Sequence, residues 1–170
     1  LNEAVRALKG QEKAEASYET SVECDIDAYI PSSYIKNEYQ KLDIYKRISA
    51  IETEEEYMDM QDELMDRFGD IPRSVENLLK IARLRAAAHR AFVTEVFVNR
   101  QEVRLTMFPR AELKTEGIPE LIGRYKGGLK LVPGETPVFH YIDRRNKNQD
   151  SLSMMEKAQE LAEALGAIRS

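Results

Sequence analysis

Ala91-Phe-Val-Thr-Glu-Val-Phe-Val-Asn-Arg-Gln-Glu-Val-Arg-Leu-Thr-Met107 is where the spacing of apolar residues changes from the three-and-four step of a helix to the two-step of a strand. Residues 92–98 and 103–107 flank the polar turn Asn99-Arg-Gln101 and read as a β-hairpin. A second pair follows, Leu129-Lys-Leu-Val132 and Val138-Phe-His-Tyr-Ile142, joined through Pro133-Gly134, a dipeptide suited to a tight turn. Between the pairs, Gly117-Ile-Pro119 introduces a short helix through Leu121, Ile122 and Tyr125. After them, Ser153-Met-Met-Glu156 fits a capping box, and Leu152, Met155, Ala158, Ala162 and Leu165 form the inward stripe of a last helix.

Working toward the N-terminus, the pattern is helical. Val75, Leu78, Leu79, Ala82 and Ala86 give a helix that starts near Pro72 and runs to about Arg90. Before it, Tyr57, Met58, Gln61, Leu64, Met65 and Phe68 fall on one side of a helix and Glu52, Glu55, Asp59, Asp62, Glu63 and Asp66 on the other, with Gly69 placed for a left-handed cap. An earlier helix carries Tyr39, Leu42, Ile44, Tyr45, Ile48 and Ile51 at helical spacing. Residues 21–28 alternate Val22, Cys24 and Ile26 against Glu23, Asp25 and Asp27, the mark of a half-buried strand, which Pro31 ends. The predicted fold is α+β: a helical N-terminal half, then two hairpin-plus-helix units forming a mostly antiparallel sheet covered by helices. Tyr57, Leu64, Phe68, Leu78, Leu79 and Ala82 are its expected core.

Residues 11–21 lack apolar periodicity and read as a flexible, solvated linker, preceded by a short helix with Leu1, Val5 and Leu8 on one face and stopped by Gly10. The expected organisation is therefore a preceding segment and linker over 1–21 and one domain over 22–170. A chain of 170 residues that opens without Met and without a signal sequence reads as a piece of a longer, non-secreted protein. With 42% hydrophobic and 32% charged residues there is enough apolar material for one core and no stretch to cross a bilayer, and a single Cys24 excludes an internal disulfide and fits a reducing cytoplasm.

Enzyme chemistry has little to stand on. No glycine-rich phosphate loop, GxSxG, HExxH or His/Cys cluster occurs, so neither a catalytic residue nor a cofactor is expected. His89 and His140 have no partner motif. Asp25 and Asp27 share a strand face as a candidate cation or pocket pair, but a dedicated cation site wants more oxygen ligands than two.

Charge patterning says more. Residues 52–66 hold eight carboxylates and no Lys or Arg, so the stretch carries −8 in a chain of net charge −5. An exposed helix usually relieves such a row with i,i+4 Glu–Lys pairs; this one forgoes them, which points to a cationic surface, on this chain or another, as its relief. The following helix, 73–90, carries Arg73, Lys80, Arg83, Arg85 and Arg90, the one nucleic-acid candidate, without the interleaved aromatics that stack on bases.

Asp27-Ala-Tyr-Ile-Pro31, Gln40-Lys-Leu-Asp-Ile-Tyr-Lys-Arg-Ile48, Asp62-Glu-Leu-Met-Asp-Arg-Phe-Gly-Asp-Ile-Pro72 and Asn77-Leu-Leu-Lys-Ile-Ala-Arg-Leu-Arg85 closely resemble the C-terminal domain of the bacterial transcription-repair coupling factor family (Mfd). The likeness is dense over 27–85 and loose from Phe92 onward, and residues 1–10 resemble the segment leaving that family's motor. The resemblance implies a parent ATP-driven translocase on double-stranded DNA that displaces RNA polymerase and recruits nucleotide-excision repair by presenting a UvrB-like module to UvrA. It implies a domain without motor motifs that docks on that module and masks it. It also places Glu63 and Asp66 on the docking surface, with Glu55, Asp59 and Asp62 as the rim candidates.

Overall fold

The structure is a computed structural model that describes residues 18–109, 115–143 and 150–169. The expected helix at 1–9 and residues 11–17 of the expected linker lie outside them. The order is β1 (Ser21–Cys24), α1 (Glu38–Ser49), α2 (Glu54–Phe68), α3 (Arg73–Arg90), β2 (Val93–Val98), β3 (Glu102–Met107), a single 3-10 turn (Thr115–Gly117), α4 (Ile118–Arg124), β4 (Leu129–Val132), β5 (Val138–Ile142) and α5 (Ser151–Arg169).

The five strands form one sheet in the order β1-β2-β3-β5-β4. Both expected hairpins are present, β2 with β3 and β4 with β5, and β3 joins them antiparallel to β5. The Asn99 side chain closes the first turn by accepting from the N–H groups of Gln101 and Glu102, both at 2.8 Å. In the second unit the chain before β4 runs against β5. A Cβ at Gly128 would sit 3.0 Å from the Ile142 carbonyl and 3.1 Å from the Tyr125 carbonyl, closer than ordinary packing, which favours glycine there. The sheet departs from pure antiparallel pairing at β1, which lies parallel to β2 with Ser21 opposite Glu95 and Cys24 opposite Val98. The three helices supply the crossover that a parallel pair requires.

β1 is also shorter than the alternation at 21–28 predicts. β2 ends at Val98, so beyond Cys24 the strand has no partner. The following segment is held by other means: the Asn77 side chain donates to the Asp27 carbonyl at 3.0 Å, the Tyr29 N–H donates to the Ser74 carbonyl, and the Ile30 N–H donates to the Tyr45 hydroxyl at 2.7 Å.

Two cores result, and α3 belongs to both. Val75, Leu79 and Ala82 pack with Ile30, Ile35, Ile44, Ile48, Ile51, Tyr57, Met60 and Leu64 in an all-helical core. Leu84, Ala87, Ala88 and Ala91 pack against the inward residues of the sheet and against Met154, Ala158, Leu161, Ala162 and Leu165 of α5. Of the expected core, Tyr57, Leu64, Leu79 and Ala82 are buried, while Phe68 and Leu78 are only half-buried at its margin. Tyr39 and Leu42, expected on the inward face of α1, are exposed, because Ile44, Ile48 and Ile51 already fill the contact.

The caps follow the side chains that reach the first free N–H groups. Asn37 caps α1, and Thr53 caps α2 by accepting from the Glu56 N–H at 3.1 Å. Gly69 ends α2 at the positive φ expected, +89°, but with ψ −161° it is extended there rather than in the left-handed helical cap. The start of α5 differs: Asp150 rather than Ser153 is the cap, accepting from the Ser153 N–H at 2.8 Å, and the helix begins two residues before the expected box.

Because α3 serves both cores, truncation at either end is expected to lower one common unfolding transition. Leu79→Ala and Leu84→Ala should each cost about 2–5 kcal/mol, and Leu42→Ala about 0.5 kcal/mol or less. Urea unfolding followed by circular dichroism checks the size. Hydrogen exchange in both halves checks that they open together.

Candidate functional site

Helix α2 is amphipathic because Tyr57, Met60 and Leu64 bury one stripe in the helical core. Its outward side is not the uniform row of unpaired carboxylates expected from sequence. Glu63, expected to be unpaired, accepts two hydrogen bonds from the Arg47 guanidinium of α1, both 2.5 Å, and a third from Arg67 at 2.9 Å. Arg67 in turn lies over the Phe68 ring, 4.9 Å from its centre. Glu54 is held by Arg83 of α3 at 2.7 Å, and Glu56 accepts from the Thr53 hydroxyl.

The remaining acids, Glu55, Asp59, Asp62 and Asp66, are exposed and have no ion pair among the described residues. At about 100° per residue they share one strip of the helix, with Glu63 on the neighbouring strip toward α1. The structure therefore brings four of the five sequence-predicted residues together as free charge and sets Glu63 beside them as a neutralised one.

Two side chains of α2 lie on a different side from the one the sequence predicts. Met58 and Met65, expected inward, are 56% and 52% exposed, while Met60 is buried. The buried stripe is centred on Tyr57 and Leu64 and turned toward Met60, which leaves the two methionines bordering the acidic strip.

The basic helix is similarly redistributed. Arg83 pairs with Glu54 and lies 3.8 Å from Glu163, Lys80 reaches Glu76 at 4.0 Å, and Arg85 and Arg90 donate to the backbone carbonyls of Ser49 and Glu52. Of the five cations that suggested a nucleic-acid face, Arg83, Arg85 and Arg90 hold α3 to its neighbours and Lys80 pairs within α3 itself.

The other candidates are brought into no common site. Asp25 lies beyond the end of β1 and accepts from the Ser151 hydroxyl, and Asp27 uses its carbonyl for Asn77. Among the described residues no three His, Cys, Asp or Glu side chains group to hold a metal ion. His140 sits 2.7 Å from Glu102 on the sheet. His89 stacks on Tyr18 at 4.4 Å and contacts the Thr20 hydroxyl, and burial lowers its pKa. Tyr18 and Thr20, which the sequence places in the linker, are thus held on the domain. Burial pushes the Cys24 thiol up, away from the reactive thiolate. An open cleft of about 280 Å³ between α3 and α5 is lined by Lys80, Arg83, Met155, Gln159, Glu160 and Glu163, with no nucleophile. No described helix is long and apolar enough to cross a membrane.

The hydrogen bonds from Arg47, with those from Arg67, hold the Glu63 carboxyl down at about 2 against an ordinary 4.5. A carboxylate whose pKa is lower in the folded chain adds stability above its ordinary value and loses it as the pH falls through the folded value. Acidification from pH 4.5 to 2 is therefore expected to remove this contribution, whereas Glu63→Gln should lose it at every pH and flatten that part of the profile. Stability measured by urea at pH 6 and pH 3 checks the difference, and side-chain NMR should place the Glu63 midpoint near 2.

With this geometry in place, relatives identify the scaffold. Residues 24–118 match the TRCF domain. The chain is 37% identical over 117 residues to the transcription-repair-coupling factor of Bacillus subtilis (strain 168), and 36% identical over 118 residues to that of Staphylococcus haemolyticus (strain JCSC1435). Each alignment takes in 69% of this chain and 10% of the relative, so the chain spans about a tenth of the length of the curated relatives it matches. A crystal structure of the C-terminal domain of transcription-repair coupling factor is similar at a TM-score of 0.70 and 25% identity, covering 89% of this chain and 95% of that one. The matched region contains α1, α2 and α3 whole, and with them every residue of the acidic face; the chain belongs to the TRCF domain family of transcription-repair coupling factors.

Proposed function

We propose that this domain is a regulatory docking domain of a cytoplasmic transcription-repair coupling factor. It binds the UvrB-like module of the same protein and masks the surface that recruits UvrA in transcription-coupled nucleotide-excision repair. The observation that carries the reading is the strip of four exposed carboxylates, Glu55, Asp59, Asp62 and Asp66, that have no cation partner among the described residues, on a helix where Glu54 and Glu63 are held by arginines. Translocation, nucleotide hydrolysis and the contacts with DNA and RNA polymerase then belong to the rest of the parent protein. The chain before Tyr18 is the end of its motor and the tether, and the domain itself needs no cofactor.

In this reading Asp66 makes a direct contact. Glu63 holds Arg47 and Arg67 in place at the border, which fits the inclusion of both acids in the family's docking motif. An exposed ion pair is worth about 0–1 kcal/mol, whereas removing one partner of a desolvated interfacial pair costs about 2–5 kcal/mol. The central acids should therefore outweigh Glu55 and Asp59 at the rim. The nucleic-acid reading of 73–90 has no comparable support, since Lys80, Arg83, Arg85 and Arg90 are already engaged.

The test is binding of the isolated domain, in trans, to the purified UvrB-like module. Glu63→Ala with Asp66→Ala should keep the fold and lose about tenfold or more in affinity. Its salt dependence should weaken, and in the full-length protein the same pair should raise UvrA binding. Unchanged affinity and unchanged salt dependence would sink the proposal.

A further inference from the structure

Four of the six methionines, Met60, Met107, Met154 and Met155, are buried. Met58 and Met65 are the other two. They stand seven residues apart on α2, two turns and about 10 Å along its axis, so both lie on one line of the helix surface. Between them Gln61 is turned back to the Tyr57 hydroxyl at 3.2 Å, which leaves the line apolar at both ends. On its outer side run Asp62, Glu55 and Asp66 with no cation partner among the described residues; on its inner side the helix enters the core.

We propose that Met58 and Met65 are the apolar anchors of the docking face. Their occupant is a strip of the UvrB-like module that offers an apolar floor to the methionines and Arg or Lys side chains to Asp62 and Asp66. The inference rests on the docking reading and adds where the contact is centred and what chemistry its partner has.

Single exposed apolar residues are ordinary, but two aligned methionines edged by unpaired carboxylates reproduce the anatomy of a contact centre: apolar anchors that exclude water, flanked by charge. Methionine suits the task because its unbranched, polarisable chain adapts to the facing surface. Once the methionines are covered, the neighbouring carboxylates meet their cations in a medium of lower dielectric, where each pair is stronger than in water. The partner's basic residues are set by charge complementarity, since Glu63 is already neutralised by Arg47 and Arg67 and the charge still to be matched lies on the methionine side.

Peroxide footprinting of the domain, alone and with the purified UvrB-like module, tests this directly. In the free domain Met58 and Met65 should oxidise quickly, with Met60, Met107, Met154 and Met155 as slow internal references. In the complex the two exposed methionines should slow about fivefold or more. Met58→Ser with Met65→Ser should weaken binding about tenfold or more while leaving its salt dependence unchanged, and Met58→Leu with Met65→Leu should keep the affinity. Asp62→Asn with Asp66→Asn should instead reduce the salt dependence. Unprotected methionines in a complex that does form, or a serine variant that binds like the parent, would overturn the anchors while leaving the docking reading in place. Failure of the unmodified domain to bind the module would overturn both.

Discussion

Helix α3 buries Val75, Leu79 and Ala82 among the helices at its N-terminal half and Leu84, Ala87 and Ala88 against the sheet and α5 at its C-terminal half. A helix that must satisfy two cores has its rotation fixed at both ends, so its remaining strip is fixed as well. With its rotation go its cations: Arg83, Arg85 and Arg90 reach Glu54, the Ser49 carbonyl and the Glu52 carbonyl. These contacts set where α1 ends and where α2 begins, and hence which side of α2 faces water. The acidic face is positioned by α3, although α3 contributes no residue to it.

How much of this was legible in the sequence depended on how local the cause is. The change of period at residue 91 and the two hairpins depend on neighbours within a few residues, and the structure has both. The parallel seat of β1 depends on strand pairing across three helices, and nothing within residues 21–28 encodes it. The same lack of a partner explains why alternation continued to Asp27 on paper while the strand stopped at Cys24. At the start of α5, Asp150 and Ser153 are both good capping residues three positions apart, and the choice fell to the one whose carboxylate reaches the free Ser153 N–H.

On α2 the difficulty was rotational phase. Met58 and Met65 lie on one flank of the Tyr57–Leu64 line and Met60 on the other, so counting apolar residues draws the stripe toward the pair. Only the neighbouring helices decide between them. The pairing of Glu63 was half-visible: Arg67 stands at i+4, one residue beyond the acidic run. Arg47, which makes the stronger contact, comes from another helix and gives no signal in the spacing.

The charge on α2 is thereby divided into two populations with different energetics. Glu54 and Glu63 are bound by arginines of other helices, and their ionised state is part of what holds α2 in place. Glu55, Asp59, Asp62 and Asp66 succeed one another at three- and four-residue steps. At that spacing like charges repel by a few tenths of a kcal/mol per pair, of order 0.2–0.5 each. A single lysine at any of these positions would remove part of that cost without touching the core, since all four side chains are exposed. A cationic surface brought against the row removes the repulsion and adds attraction in the same step, so the free state carries a strain that a bound state relieves. Because both terms are Coulombic and act near solvent, both weaken over the Debye length of about 8 Å at physiological salt. Affinity at such a face is therefore steep in ionic strength, while the fold beneath it, fixed by α3 and its two apolar cores, is not.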